Sequence, residues 1–343
     1  MYDVISLGTA TYDVFLKSKG LQVGSENGEK DICVRYGAKL EVDEIYFDSG
    51  GGGTNSSTTF SRQGLKCASV IQIGNDYFGD KIKKDLEKEG VDIQLINTQD
   101  GYTDYSTVLW APDGGRTILV YRGKTKLEEN NIMWDKLTTN WCYVSSLEGN
   151  LDVVERLIKN RQTNISFNPG GRELEQKDRL LSILEKITVL NVNKEEMEEL
   201  LQVQSSPKEF LQNSTGQAPF KVQSERDGVL ELLKRARELP CEYIVITDDR
   251  RGAFLWNKRE RAWYHSGIFE DSPRVETTGA GDAFGSGLMT GLIKGCSIKE
   301  SLYIAAANAS SVVAHVGAKK GILSENDLKN WDRNKLKIEK ITV

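Results

Sequence analysis

Glu276-Thr277-Thr278-Gly279-Ala280-Gly281-Asp282-Ala283-Phe284-Gly285-Ser286-Gly287 is the stretch that decides the reading of this chain. Gly279, Ala280 and Gly281 are too small to shield their own backbone, and an apolar, helix-compatible run from Ala283 to Ile293 follows at once. The pattern predicts N–H groups converging at a helix N-terminus, where unsatisfied donors and the positive end of the helix dipole suit an anion of phosphate size. Asp282 then stands at the mouth of that site. A carboxylate there can orient an acceptor hydroxyl and take its proton as the oxygen attacks, the base role of phosphoryl transfer. The segment also reads, more simply, as a glycine-rich turn with Asp282 capping a helix.

Outward from this stretch, short β-branched runs alternate with amphipathic helical runs, the pattern of a mainly parallel sheet covered on both faces. Cys67 to Gly74 reads as a strand followed by a helix from Phe78 to Glu89; Ile187 to Val192 as a strand followed by a helix from Lys194 to Leu201; Tyr243 to Thr247 as a third strand. Two small-residue helices, Ala283–Ile293 and Ile298–His315, close this part. Two regions, about 15–47 and 106–121, alternate with period two instead. In the second, Ala111-Pro112-Asp113-Gly114-Gly115 supplies a hairpin turn. Strands inserted between βα units would form a small separate sheet on a single domain spanning 1–343. The polar stretch 202–227 reads as a surface excursion.

Composition narrows the partners. The 343 residues are enough for a substantial core, and a net charge of −5 with acids and bases interspersed offers no basic stripe for nucleic acid and no polybasic membrane anchor. No apolar run approaches a membrane span and the start shows no signal-peptide pattern, so a cytoplasmic location and a small-molecule partner are expected. Five scattered cysteines with no Cys-x-x-Cys pair read as reduced. Two histidines are too few for a histidine metal cage.

A second glycine cluster, Asp48-Ser49-Gly50-Gly51-Gly52-Gly53-Thr54-Asn55, precedes a helical run from Ser56 to Gln63. Gly51 and Gly52 let a ligand approach the backbone closely, and Asn55 offers both a donor and an acceptor for vicinal hydroxyls of a sugar. An ordinary structural turn would have the same composition.

With both clusters in view, the chain resembles the ribokinase-like (PfkB-type) carbohydrate kinases from Gly8 to roughly Leu323. Their C-terminal signature, Asp-Thr-Thr-Gly-Ala-Gly-Asp before a small-residue helix, matches 277–282, and their Gly-Gly-x-x-x-Asn element matches Gly50 or Gly51 with Asn55. The resemblance implies a ribokinase-like three-layer α/β/α sandwich with a mainly parallel central sheet and a small β-sheet lid over the sugar. It implies ATP and Mg²⁺, with Asp282 as base and Gly279 to Gly281 as anion hole. Asp13 and Glu148 are placed on the sugar; Asn193, Thr247, Asp249, Gly252 and Asn308 on the nucleotide; and Glu196 on the metal. The Asn193 to Glu196 spacing reads equally as a helix capping box. Asp249 replaces the usual first glycine of the nucleotide loop. Glu276 stands where the signature has Asp, beside the place where many members hold potassium, which leaves K⁺ dependence open. Exposed lid strands offer an edge for a homodimer.

Other nucleotide motifs fail. Gly123-Lys124-Thr125 lacks the earlier glycine of a P-loop, since that position holds Ile118, and a dinucleotide fingerprint counted from Gly279 puts Phe284 at its third glycine. An unphosphorylated sugar is the favoured acceptor. A nucleoside kinase of the same fold, a catalytically silent sugar or nucleotide sensor, and a structural α/β module are the alternatives; Asp282 speaks against the sensor.

Overall fold

The computed structural model describes residues 1–26, 29–111, 115–123, 126–159, 163–203 and 223–343. The proposed turn residues 112–114, Lys124 and Thr125 of the rejected P-loop, and 204–222 of the polar excursion lie outside them. The rest of that excursion is in part helical, because a helix begins at Gln223 and runs to Ala236.

Nine strands form one sheet. From one edge the order is Ile338–Ile341, Ala262–Ser266, Ala253–Asn257, Tyr243–Thr247, Val189–Asn193, Asn164–Phe167, Trp141–Val144, Val4–Leu7 and Cys67–Val70. The last six pair in parallel, and the first three join antiparallel at one edge. Alternate residues of each strand enter opposite cores, the period-two consequence of strand geometry. Ile5, Leu7, Val144, Phe167, Leu190 and Ile246 face one core, shared with Leu151, Leu180, Met197 and Leu232 from helices on that side. Val4, Tyr143, Val189 and Val245 face the other, shared with Phe60, Ile82, Leu288 and Ile304. Helices therefore cover both faces and make the three-layer α/β/α sandwich with its mainly parallel sheet.

A separate four-stranded sheet consists of Arg116–Tyr121, Asp104–Trp110, Thr11–Lys17 and Glu44–Gly50, in that spatial order. The hairpin read from sequence is present, with Arg116 opposite Trp110 and Tyr121 opposite Tyr105. The sheet takes in more chain than the alternating pattern indicated, starting at Thr11 and reaching Gly50 and Asp104. The extra residues are polar on one face, so hydrophobic alternation did not mark them.

Two further boundaries differ. The strand expected over Cys67 to Gly74 breaks at Ile71: its carbonyl accepts the Asn97 N–H at 2.9 Å, and Gln72–Gly74 leaves the large sheet to pair with Asn97–Gln99. The helix expected from Ser56 starts at Gly52 and ends at Arg62. Its glycines form the first turn, and the Thr54, Ser56, Ser57, Thr58 and Thr59 hydroxyls each donate to a carbonyl four residues back. That back-bonding satisfies the hydroxyls and lets a helix without an apolar stripe be buried.

Cys67, Cys142 and Cys241 are buried, unbridged thiols, pushed up to about 12 by burial, in line with reduced cysteines. No helix among the described residues is long and apolar enough to cross a membrane.

Candidate active site

The parallel strands end at Leu7, Val144, Asn193 and Thr247 on one rim of the sheet, where side chains and loops of open α/β folds meet ligands. The segment 276–287 lies along this rim, with Ala280 and Gly281 lining one cleft with Thr247. Gly279 adopts φ 78°, a left-handed conformation open to glycine, and the helix runs from Ala280 to Ile293. An added Cβ at Gly279 would come 2.6 Å from the Ala318 Cβ. The Ala280 N–H donates to Thr277 O at 3.2 Å, so that amide is turned back into the segment. Gly279, Gly281 and Asp282 have N–H groups with no acceptor among the described residues.

Ala280 and Gly281 form one wall of a cleft whose other lining includes Thr247, Asp249, Gly252 and Arg274. Asn193 sits beside Thr247 in the parallel register. Its side chain accepts the Glu196 N–H and the Glu196 carboxylate accepts the Asn193 N–H, both at 2.8 Å, a complete capping box. Burial pushes the Glu196 carboxyl up, against the Asn193 bond. Asp249, with φ 38°, is exposed and paired to Arg274 at 2.6 Å. Gly252 has φ 87°, and a Cβ there would lie 2.0 Å from Ser266 O.

Asn308 is not brought to this cleft. Fully buried, it donates to Ala283 O and accepts from Leu323 N, both at 2.9 Å, so its amide joins two helices to the following loop.

On the other side of Asp282 lies a polar face of the small sheet. Asp13 stands opposite Asp48 and Ser106 in register, with Thr11 and Asp104 two residues away on the same face. The Asp13 carboxylate accepts from the Ser106 and Thr11 hydroxyls, the latter at 3.1 Å. Burial raises its proton affinity, with Ser106 and Lys319 opposing. Gly50 packs directly on it, and an added Cβ would meet Asp13 Oδ2 at 1.9 Å. Glu148, with φ 58°, reaches Arg122 at 3.1 Å, and Arg122 also holds Asp104 at 3.0 Å.

Asn55, expected to offer a donor and an acceptor to sugar hydroxyls, makes one bond within the protein at each end of its amide. Its Nδ2 donates to Asp282 Oδ2 at 2.8 Å and its Oδ1 accepts from Lys319 Nζ at 2.9 Å. Asp282 retains some exposed surface, but its carboxyl lies deep: burial raises it, and Asn55 and Lys319 oppose the rise. Gly51, with φ 90°, and Gly52 let the helix start pass close to Thr9 and Ser145; a Cβ on Gly52 would also lie 3.3 Å from Asp282 Oδ1. Lys319 is a residue that the sequence reading missed.

The sequence pattern of the pfkB family of carbohydrate kinases matches residues 1–325. The chain belongs to that family. As a pfkB-family protein it is an ATP-dependent carbohydrate kinase, transferring phosphate to an alcohol group. It is 25% identical to a ribokinase of Haemophilus influenzae over 311 residues, covering 88% of this chain and 94% of that one. It is 22% identical to an ATP-dependent 6-phosphofructokinase of Thermoanaerobacterium thermosaccharolyticum, covering 92% and 89%. The fold matches that of Arabidopsis thaliana ribokinase complexed with ribose and ATP, with a TM-score of 0.73 at 19% identity over 95% of this chain and 97% of that one. A Methanocaldococcus jannaschii nucleoside kinase matches with a TM-score of 0.70 at 16% identity, over 96% and 97%.

Proposed function

We propose that this pfkB-family kinase transfers the ATP γ-phosphoryl group to a hydroxymethyl oxygen of a small unphosphorylated sugar, with Asp282 as base. The observation that supports this most is the position of Asp282, between a cleft walled by Ala280, Gly281 and Thr247 and the polar face carrying Asp13. ATP would lie in the cleft with Thr247, Asp249, Gly252 and Asn193 around it. The sugar hydroxyls would meet Asp13, Glu148 and the Gly51-Gly52 backbone. The acceptor oxygen forms a bond to the γ-phosphorus, the bond to the bridging oxygen of ADP breaks, and the acceptor proton passes to Asp282. The N–H groups of Gly279, Gly281 and Asp282 receive the charge on the transferring oxygens, with Ala280 serving through its small side chain.

The charge balance supports an uncharged acceptor. Asp13, Asp48, Asp104, Glu148 and Asp282 outnumber Lys319 and Arg122, and Arg122 is neutralised by two of those acids, so a sugar phosphate or acid meets repulsion.

Mg²⁺ would neutralise the phosphates of bound ATP. Among the described residues no three acids, histidines or cysteines gather into a metal cage, which fits an ion carried mainly by phosphate and water, with the Glu196 carboxylate alongside. For K⁺, the fitting feature is Glu276: it is buried, its Oε1 takes Arg116 and Thr278, and its Oε2 has no hydrogen-bond partner among the described residues.

The whole chain would act as one kinase domain, its small sheet serving as lid. Ile118, Leu119, Val120 and Tyr121 of the lid hairpin and Ile45 and Phe47 of the Glu44–Gly50 strand expose large apolar surface, which supports a homodimer through the lid. The deciding assay follows phosphorylation across neutral sugars, sugar acids, sugar phosphates and nucleosides. Turnover of a neutral sugar that falls at least ~100-fold in Asp282→Asn, with ATP affinity retained, supports the reading. Near-normal turnover in that variant, or a nucleoside as best acceptor, overturns it.

A further inference from the structure

Lys319 is a charged residue in the site for which the reaction as proposed has no use. It is 6% exposed, and it follows the Gly317-Ala318 turn, in a loop far in sequence from the groups its ammonium touches. Its ammonium donates to Ser49 O and to Asn55 Oδ1 at 2.9 Å, while its backbone N–H reaches Asp48 Oδ2 at 3.4 Å. Gly317 is held against Asp48, where a Cβ would come 2.5 Å from Oδ2. The loop is thus fastened against Asp48 at both Gly317 and Lys319.

Donor chemistry gives this contact a direction. An ammonium can only donate, so the Asn55 amide must turn its oxygen to Lys319. The opposite end of the amide is then NH₂, and it points at Asp282 Oδ2, 2.8 Å away. An ionised carboxylate can only accept, so the sequence ammonium, amide, carboxylate is self-consistent in one orientation alone. Were the amide flipped, two acceptors would face each other at Asp282 and two donors at Lys319.

Resting on the assignment of Asp282 as base, we propose that Lys319 is a positioning residue: through Asn55 it holds the Asp282 carboxylate aimed, ready to accept a proton. It does not touch the transferring phosphate in this role. The groups that face the pair are few. Asp282 meets Asn55 from the Gly52–Arg62 helix, the Lys319 charge from the C-terminal loop and the Tyr143 ring from the Trp141–Val144 strand. Burial pulls the Lys319 ammonium below its ordinary value, and Asp48, Asp13, Asp282 and Asp85 oppose that pull. Removing the ammonium leaves burial to act on Asp282 with less opposition, so its proton is held to higher pH.

The test measures single-turnover phosphoryl transfer against pH for the wild type, Lys319→Met and Lys319→Gln, together with a ¹³C titration of the Asp282 carboxyl, assigned by its loss in Asp282→Asn. Glutamine keeps a donor for Asn55 but not the charge. In both variants the acidic limb of the rate profile moves to higher pH and the carboxyl titrates later. The rate at pH 6 falls roughly 10-fold or more, and at pH 9 it returns to within about 3-fold of the wild type. If Lys319→Met does not fold, Lys319→Gln carries both measurements. A limb and a carboxyl titration that stay in place, with only the acceptor KM rising, overturn the proposal and make Lys319 a substrate contact. Turnover that survives Asp282→Asn defeats the base assignment instead, and the carboxyl titration still judges the link from Lys319 to Asp282.

Discussion

Arg116, on the hairpin of the small sheet, lies 2.7 Å from the Glu276 carboxylate and donates to the Thr277 hydroxyl at 2.9 Å. The sheet is thereby fastened to the first two residues of the segment that opens the helix carrying Asp282. Glu276 is buried, so loss of the guanidinium leaves a carboxylate short of a partner in a poorly solvated place. Arg116→Met is expected to lower kcat/KM for the sugar roughly 10-fold and to raise ATP hydrolysis in the absence of sugar. Unchanged values of both would show that the contact does not couple the sheet to the reaction.

The same contact bears on closure. Sugar together with a nonhydrolysable ATP analogue is expected to slow amide exchange in 11–17, 44–50, 104–110 and 116–121, where hydrogen bonds belong to the small sheet. The strands around Val70 and Val245 in the large sheet stay protected throughout. Exchange that does not respond in the small sheet, under conditions where the sugar is bound, would identify it as a static platform.

How much of this was legible in the sequence depended on whether a residue's role was local. The helix with Asp282 was readable because its small residues and its cap lie within a few positions of one another. The Lys194–Leu201 helix was readable in full, since Asn193 and Glu196 cap it between themselves. Lys319 was not readable: its partner Asn55 is 264 positions away, and no local pattern links a lysine after a Gly-Ala turn to an amide in an early helix. Asn308 illustrates the opposite error. An amide in a small-residue helix reads as a ligand group, but the Asn308 Nδ2 donates to Ala283 O on the neighbouring helix and its Oδ1 accepts from Leu323 N in the following loop. The antiparallel strands Ala253–Asn257 and Ala262–Ser266 were not legible because the turn joining them, Lys258-Arg259-Glu260-Arg261 with Arg261 at φ 49°, has no glycine or proline to mark it.

Gly252 offers a test of the loop proposed to meet the nucleotide. Its φ of 87° and its approach to Ser266 O leave no room for a side chain, since a Cβ would lie 2.0 Å from that oxygen. Gly252→Ala is expected to cost about 2 kcal/mol or more in stability and to raise the KM for ATP roughly 10-fold, with little effect on the sugar KM. Thermal melts and initial rates with each substrate varied separately check this. An equal rise in both KM values would point to general disruption instead of a local role at the cleft.

Asp13 gives the last prediction, one in which stability and function move apart. Burial raises the carboxyl above its ordinary range, Asp48 opposite adds to the rise, and the Ser106, Lys319 and Thr11 contacts only partly offset it. A carboxyl whose folded pKa exceeds its unfolded value makes the folded state bind protons more readily. Its contribution is most favourable to folding below the unfolded value and is lost as pH rises through the folded one. As pH rises through the folded value, therefore, ionisation of the side chain works against the fold. Asp13→Asn keeps the size and an acceptor for the Ser106 and Thr11 hydroxyls but removes the charge. The variant is expected to melt about 1–3 °C higher than the wild type at pH 7 without ligands, and the gap is expected to narrow as the pH falls and the wild-type carboxyl takes up its proton. Its sugar KM is expected to rise roughly 10-fold while ATP affinity survives, because the hydroxyls lose a charged acceptor and the cleft is untouched. A variant that melts lower at pH 7, or a gap that does not change with pH, would mean that the Asp13 charge is compensated in the folded state by Lys319 more completely than burial opposes it.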